Sequence, residues 1–221
     1  MALRLLALSV DAHDPDSQAE FWGGLLARPT DGPVVRAGEA PELELRFAPG
    51  ATEKTRPNWI HLHLTSAHPG DQERTVARAV ELGATHLDVG QLPDEGHVVL
   101  ADPEGNEFCV IESGNRFLAD TGFLGELACD GTREVGLFWS AALDWPLNWD
   151  QDEETSVQSP LGGTKVSWGG PPVARKDGRR MWFEVAGPES EVERLVALGA
   201  TVLSGSVLAD PDGNEFSLSR S

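Results

Sequence analysis

The chain has no tyrosine, and only two cysteines and two methionines among its 221 residues. Cys109 and Cys129 alone cannot build the disulfide framework of a small secreted scaffold, so a reducing cytoplasm is the expected setting. Positive charge is scarce as well: 17 Lys and Arg stand against 36 Asp and Glu, a net charge of −19. Without a basic face there is no basis for sequence-independent nucleic-acid binding or for attraction to an anionic membrane. No apolar run approaches the roughly 18 residues that a membrane helix needs. The stretch Met1–Val10 is apolar, but it runs straight into Asp11-Ala-His-Asp-Pro-Asp16 with no small-residue cleavage site. It is expected to be a first strand rather than a signal peptide. The expected partner is a small molecule, with no nucleic acid and no membrane, for a monomer or homodimer. The acids are spread along the chain, which suits a soluble surface.

What the sequence does contain is a repeat. Leu82-Gly-Ala-Thr85 recurs as Leu198-Gly-Ala-Thr201, and Phe21-Trp22 recurs as Phe138-Trp139. Val99-Leu-Ala-Asp-Pro-Glu-Gly-Asn-Glu-Phe108 recurs as Val207-Leu-Ala-Asp-Pro-Asp-Gly-Asn-Glu-Phe216. The landmarks keep one order, but Leu82 precedes Asp102 by 20 residues and Leu198 precedes Asp210 by only 12. The second copy therefore lacks the counterpart of the Gly90–Gly96 region, a loop by composition. The copies divide as 1–115 and 116–221, with residues 113–121 as linker.

Periodicity gives each copy the same order of elements. Residues 3–10 read as a strand, and Asp14-Pro15 as a helix start with Asp as N-cap and Pro in the first turn. That helix runs to about residue 27 with Phe21, Trp22, Leu25 and Leu26 on its apolar side. Strict alternation predicts strands at 42–47 and 59–65. A helix follows from 71 to 82, with Val76, Ala79, Val80 and Leu82 inward, then strands near 97–101 and 106–112. The second copy predicts strands at 123–128, 155–158, 164–168, 180–185, 201–203, 206–209 and 214–219, with helices at 132–143 and 188–198. The carboxylates Asp102, Glu104, Asp210 and Asp212 lack the spacing of an EF-hand and read as turn caps.

This order, with the Phe-Trp helix and the Asp-Pro-acid-Gly-Asn-Glu-Phe ending, resembles the vicinal oxygen chelate superfamily, and within it the glyoxalase-like domain proteins. The superfamily includes glyoxalase I, bleomycin-resistance proteins and extradiol dioxygenases. The resemblance covers essentially the whole chain. It implies an α+β fold of four βαβββ modules in two tandem domains, their mixed sheets curled into cups with the helices outside. The motif is specific for the fold and says little of the reaction.

Alternation assigns faces within such a cup. With Leu43, Leu45, Phe47, Ile60, Leu62, Leu64, Phe108 and Val110 packed inward, Glu44, Arg46, Trp59, His61, His63, Glu107 and Cys109 face the first domain's cup. Trp168 and Trp182 offer further flat walls. In metal-using members of the superfamily the ligands come from four strands. The resemblance places such positions at His61, Glu44 and Cys109, with Leu6 or Ala7 where the first-strand ligand would be. A zinc, iron, nickel or manganese ion on Glu44, His61 and Cys109 is one reading; a cup without a cofactor, its histidines and thiol merely lining it, is the other. The second copy's equivalents, near Leu127, Lys165 or Ser167, Arg180 or Trp182, and Ser217, form no metal set. Three functions follow. The cup binds a small organic molecule without a metal, as the bleomycin-resistance branch does. Alternatively the chain is a lyase, isomerase or dioxygenase, or a metal-free acid–base catalyst pairing Glu107 with His61 or His63. In the third, the second copy only supports the first.

Overall fold

The computed structural model describes residues 3–38, 41–50, 54, 56–92, 95–170 and 180–220. Pro93 and Asp94 of the loop missing from the second copy lie outside them. Each copy holds two modules. The first module is β1 (Arg4–Ala12), α1 (Pro15–Leu26), β2 (Thr30–Asp31), β3 (Val34–Val35) and β4 (Glu44–Pro49). The second is β5 (Ile60–Leu64), α2 (Asp71–Glu81), β6 (Thr85–His86), β7 (Val98–Ala101) and β8 (Glu107–Val110). The third is β9 (Leu124–Asp130), α3 (Arg133–Leu143), β10 (Leu147–Gln151), β11 (Glu154–Val157) and β12 (Lys165–Gly169). The fourth is β13 (Met181–Gly187), α4 (Glu191–Leu198), β14 (Thr201–Ser204), β15 (Val207–Ala209) and β16 (Glu215–Arg220).

The helices begin and end for local reasons. Asp14 accepts the Ser17 backbone N–H at 3.1 Å, and Pro15 occupies the first turn of α1. Ala27 then closes the helix in the left-handed region at φ 53°. Phe21, Trp22, Leu25 and Leu26 are buried. α2 is a surface helix: Ala79 is its one buried residue, and Val80, expected inward, is exposed.

The modules do not pair within their own copy. One eight-stranded sheet runs β14-β15-β16-β13-β1-β4-β3-β2 and so joins the fourth module to the first. The other runs β10-β11-β12-β9-β5-β8-β7-β6 and joins the third to the second. The seams are antiparallel: Leu8 lies opposite Phe183 in β1–β13, and Leu62 opposite Leu127 in β5–β9. Every cup therefore draws one module from each copy, which corrects the expectation of a first cup built by residues 1–115 alone.

What each copy does share internally is the core behind its sheets. Trp22 and Phe21 of α1 pack edge-on against Phe108 of β8, and Phe138 and Trp139 of α3 pack against Phe216 of β16. Buried apolar side chains of all four modules form one continuous cluster. The repeated Asp-Pro-acid turn ties it down. Asp102 accepts hydrogen bonds from Gln18 Nε2 (2.8 Å) and Trp22 Nε1 (3.1 Å), while Glu104 takes the backbone N–H groups of His13 and Asp14 (3.0 and 2.8 Å). Asp210 accepts from Trp139 Nε1 (3.3 Å), and Asp212 holds the backbone N–H and hydroxyl of Thr132 ahead of α3 (2.7 and 2.8 Å). The Phe-Trp pair and the turn recur together because one carboxylate binds the indole and the acid two residues on holds the backbone that leads into the helix.

Candidate functional site

A cavity of about 710 Å³ lies on the concave face of the second sheet. Its wall is His61 on β5, Glu126, Ala128 and Asp130 on β9, Glu154 on β11, and Lys165 and Ser167 on β12, with Arg116 and Phe117 of the linker and Trp149 of β10. The Lys165 ammonium sits 4.7 Å above the Phe117 ring and donates to the Phe117 carbonyl. Phe117 meets Trp149 edge-on at 6.0 Å. The linker thus forms one wall of the cavity. Burial pushes the Lys165 ammonium down from its ordinary range, against the pull of Glu126 and Asp120.

A row of hydrogen-bonded side chains runs across the strands of the same face. Ser167 Oγ donates to Glu126 Oε1 at 2.5 Å, and Glu126 Oε2 lies 2.7 Å from His63 Nδ1. Cys109 is the register partner of His63 on β8. Burial opposes charge on the imidazole, but the hydrogen bonds to Cys109 and Glu126 and the adjacent carboxylate outweigh it and raise the His63 pKa to about 10.

The first sheet's cup has different contents. Arg46 on β4 is held by Glu44 at 2.7 and 2.9 Å and by Glu184 of β13 at 2.5 Å. Ser9 Oγ donates to the other Glu184 oxygen at 2.5 Å, and Arg36 Nη1 reaches Glu44 at 3.1 Å. Partial burial opposes charge on Glu44, yet Arg46 and Arg36 keep its pKa lowered. Trp182 lies on β13 two residues before Glu184. Register relates the two cups position by position. Leu62 faces Phe108 as Phe183 faces Phe216, so His61 and His63 correspond to Trp182 and Glu184, and Cys109 to Ser217. His63 opposes Glu126 as Glu184 opposes Ala7, and Lys165 and Ser167 correspond to Glu44 and Arg46.

Several expected groupings are corrected by this placement. Glu44 and Arg46 belong to the first sheet, whereas His61, His63, Glu107 and Cys109 belong to the second. Trp59 precedes β5 and leaves its alternation: the indole donates to the Met181 carbonyl at 3.2 Å and packs on Phe183. Trp168, almost fully buried and stacked on Trp139 at 6.5 Å, does line the cavity, on the second sheet. Glu107 is taken up by Lys54 and the Asn58 backbone N–H, so the carboxylate beside His63 is Glu126 and not Glu107. Glu126 is not among the residues that alternation assigns to the cup; its one signal in the sequence is an acid inside the otherwise apolar run Leu124-Gly-Glu-Leu-Ala-Cys129.

The donors present do not fit the metal centre that the resemblance implied. Glu44 is on a different sheet from His61 and Cys109. Among the described residues no group of three or more His, Cys, Asp and Glu side chains is disposed to hold an ion. His63 Nδ1 and Glu126 Oε2, 2.7 Å apart, are hydrogen-bonded to each other. Two ligands with bonds of about 2.1 Å to a tetrahedral zinc stand about 3.4 Å apart.

The family model for the glyoxalase-like domain matches residues 7–111 and again 126–219. The chain belongs to the glyoxalase-like domain family. Glyoxalase I from Zea mays is similar at 14% identity and TM-score 0.68, over 98% of this chain and 92% of the plant protein. A mutant of that enzyme aligns at 15% identity and TM-score 0.66, over 99% of this chain and 94% of the other. A provisionally assigned dioxygenase from Bacillus subtilis subsp. subtilis str. 168 aligns at 11% identity and TM-score 0.62, over 99% of this chain and 85% of its own. At such identities these likenesses show the fold alone. No curated protein matches the chain. Among the described residues no helix is long and apolar enough to cross a membrane.

Proposed function

We propose that this chain binds a small organic molecule on the concave face of the second sheet. The observation that carries the reading is the cavity of about 710 Å³ there, within the range of roughly 300–1,000 Å³ usual for small-ligand sites. Its wall combines two aromatic rings, Phe117 and Trp149, with a few polar groups fixed by their own partners, Lys165, Glu126 and Ser167. Flat apolar surface supplies contact area, and fixed polar groups orient a ligand. The first sheet's cup is a weaker candidate, because Glu44 and Glu184 are paired there with Arg46 and Arg36. The ligand is a small molecule rather than nucleic acid or a membrane surface. The protein acts as a monomer or homodimer in a cytoplasm that keeps Cys109 and Cys129 reduced.

Trp149 is 38% exposed at the cavity, which makes it a reporter. Aromatic acids and amines titrated against the protein are expected to quench tryptophan fluorescence saturably, and Trp149→Phe should lose most of that response. A wild-type protein with no saturable response across such a panel overturns the reading. Elemental analysis of protein purified without added metal addresses the alternative. One equivalent of zinc, iron, nickel or manganese would replace a metal-free binding site with a metal-dependent lyase, isomerase or dioxygenase.

A further inference from the structure

We propose that the second sheet's cup takes aromatic monocarboxylic acids, with the ligand's carboxylate on the Lys165 ammonium and its ring against Phe117 and Trp149. The ligand class rests on the binding reading above. Lys165 is 8% exposed and lines the cavity. Its ammonium donates to the Phe117 carbonyl and sits 4.7 Å above the Phe117 ring, and among the described residues it forms no ion pair. A buried charge is costly unless an opposite charge is brought to it. The nearest counter-ion in register is already engaged. Glu126 is the strand partner of Lys165, but its two oxygens are taken by His63 and Ser167. His63 carries a positive charge up to about pH 10 and so matches that carboxylate by itself. Glu126 and Asp120 attract the ammonium without pairing with it, and burial lowers its pKa in spite of them. A ligand carboxylate supplies the missing charge through a charge-assisted hydrogen bond.

Placement within the cup sets where the anion goes and how much charge it carries. Arg116 precedes Phe117 in the linker and lines the same cavity, a second cation at this end. Asp130 and Glu154 stand at the other end of the strands. Asp130 is the strand partner of Gly169 as Glu126 is of Lys165. Two such positions four residues apart are about 13 Å apart along a strand. Glu154 lies over Gly169: a methyl group added there would meet its Cγ at 3.0 Å and its Oε1 at 3.3 Å. Only the linker end therefore favours an anion. One buried cation, in a wall that also holds Glu126, Asp130 and Glu154, compensates one negative charge and not two. Phe117 and Trp149 add flat surface beside Lys165. The first cup has the opposite sign at this point, since Glu44 occupies the position of Lys165.

Four matched ligands test the class by calorimetric titration at neutral pH: 3-phenylpropionate, its amide, 3-phenylpropylamine, and benzylmalonate, which adds a second carboxylate to the same skeleton. The monoacid is expected to bind at least about tenfold more tightly than the amide or the amine, and more tightly than benzylmalonate. Lys165→Met should remove the acid's advantage while leaving amide binding within about threefold of the wild type. Lys165→Arg, which keeps the charge, should retain most of that advantage. A wild-type protein that binds acid and amide alike overturns the carboxylate, even if neither variant folds. Benzylmalonate binding as tightly as the monoacid overturns the single charge, and an undiminished acid preference in Lys165→Met overturns the role of Lys165. In these three cases the cup still binds a small molecule, so the binding reading stands. No binding of any of the four, by calorimetry or by Trp149 fluorescence, overturns that reading and the ligand class with it.

Discussion

Glu126 is a carboxylate at 5% exposure in the middle of a sheet, a position that is costly unless the charge is matched. Ser167 and His63 match it. The consequence for stability has a definite sign. The folded-state His63 pKa of about 10 lies above the ordinary value of 6.5, so folding gains from the protonated ring. That gain is fully present below about pH 6.5 and disappears as the pH rises through about 10. Glu126→Gln should therefore cost roughly 1.5–3 kcal/mol at pH 6, the worth of a charge-assisted hydrogen bond, and much less near pH 10. Urea unfolding of both proteins at the two pH values measures it, and an equal loss at both would show that the pair contributes no charge-dependent stability. Little of this was legible in the sequence. His61 and His63 were placed on one face by alternation alone, but their acidic neighbour comes from a strand 63 residues away, and pairing between copies has no local signal.

Elements were far more legible than contacts between residues. The Asp14-Pro15 cap, the apolar stripe of α1 and the alternating strands β4 and β5 follow from chemistry within a few residues, and the structure has them. The strands that escaped notice are short or polar. β2, β3 and β6 have two residues each, and β10 reads Leu-Asn-Trp-Asp-Gln with four of its five residues exposed. Such edge pieces are too short or too exposed to show alternation, and of their residues only Val35 is buried. The sequence marks the Asp-Pro turn as a cap, but its reach into the neighbouring module appears only in three dimensions. Burial pushes the Asp102 carboxyl up, and hydrogen bonds from Asn106, Gln18 and Trp22 pull it back only partly. Asp102→Ala leaves the Trp22 and Gln18 donors buried without an acceptor. A loss of about 2–6 kcal/mol is expected at roughly 1–3 kcal/mol per stranded donor. Urea unfolding should show a lower midpoint at unchanged slope. A change under about 0.5 kcal/mol would mean that the turn and α1 are not energetically joined.

For the whole molecule the decisive fact is the partition of strands. The repeat predicted two domains, yet β1 takes its antiparallel neighbour from β13 and β5 takes its own from β9. Sequence periodicity is blind to which of two similar modules pairs with which. A chain of residues 1–115 would hold half of each sheet, with β1 and β5 as bare edges. Unpaired edges recruit other strands, so this fragment should be aggregated or self-associated in size-exclusion chromatography, without the cavity's fluorescence response. A soluble monomeric fragment that still binds ligand would mean that the second copy is dispensable.

The two cups stand to each other as the two sites of a symmetric dimer whose subunits have been spliced into one polypeptide. In a true dimer, any substitution appears in both sites at once. Here His63 and Glu184, or Cys109 and Ser217, are encoded separately although they occupy matching positions. Each site is free to drift without dragging the other along. One has filled with mutually cancelling arginines and glutamates, and the other keeps a thiol, an imidazole and an open space beside them. On the proposed reading, one cup is the site and the other a spare.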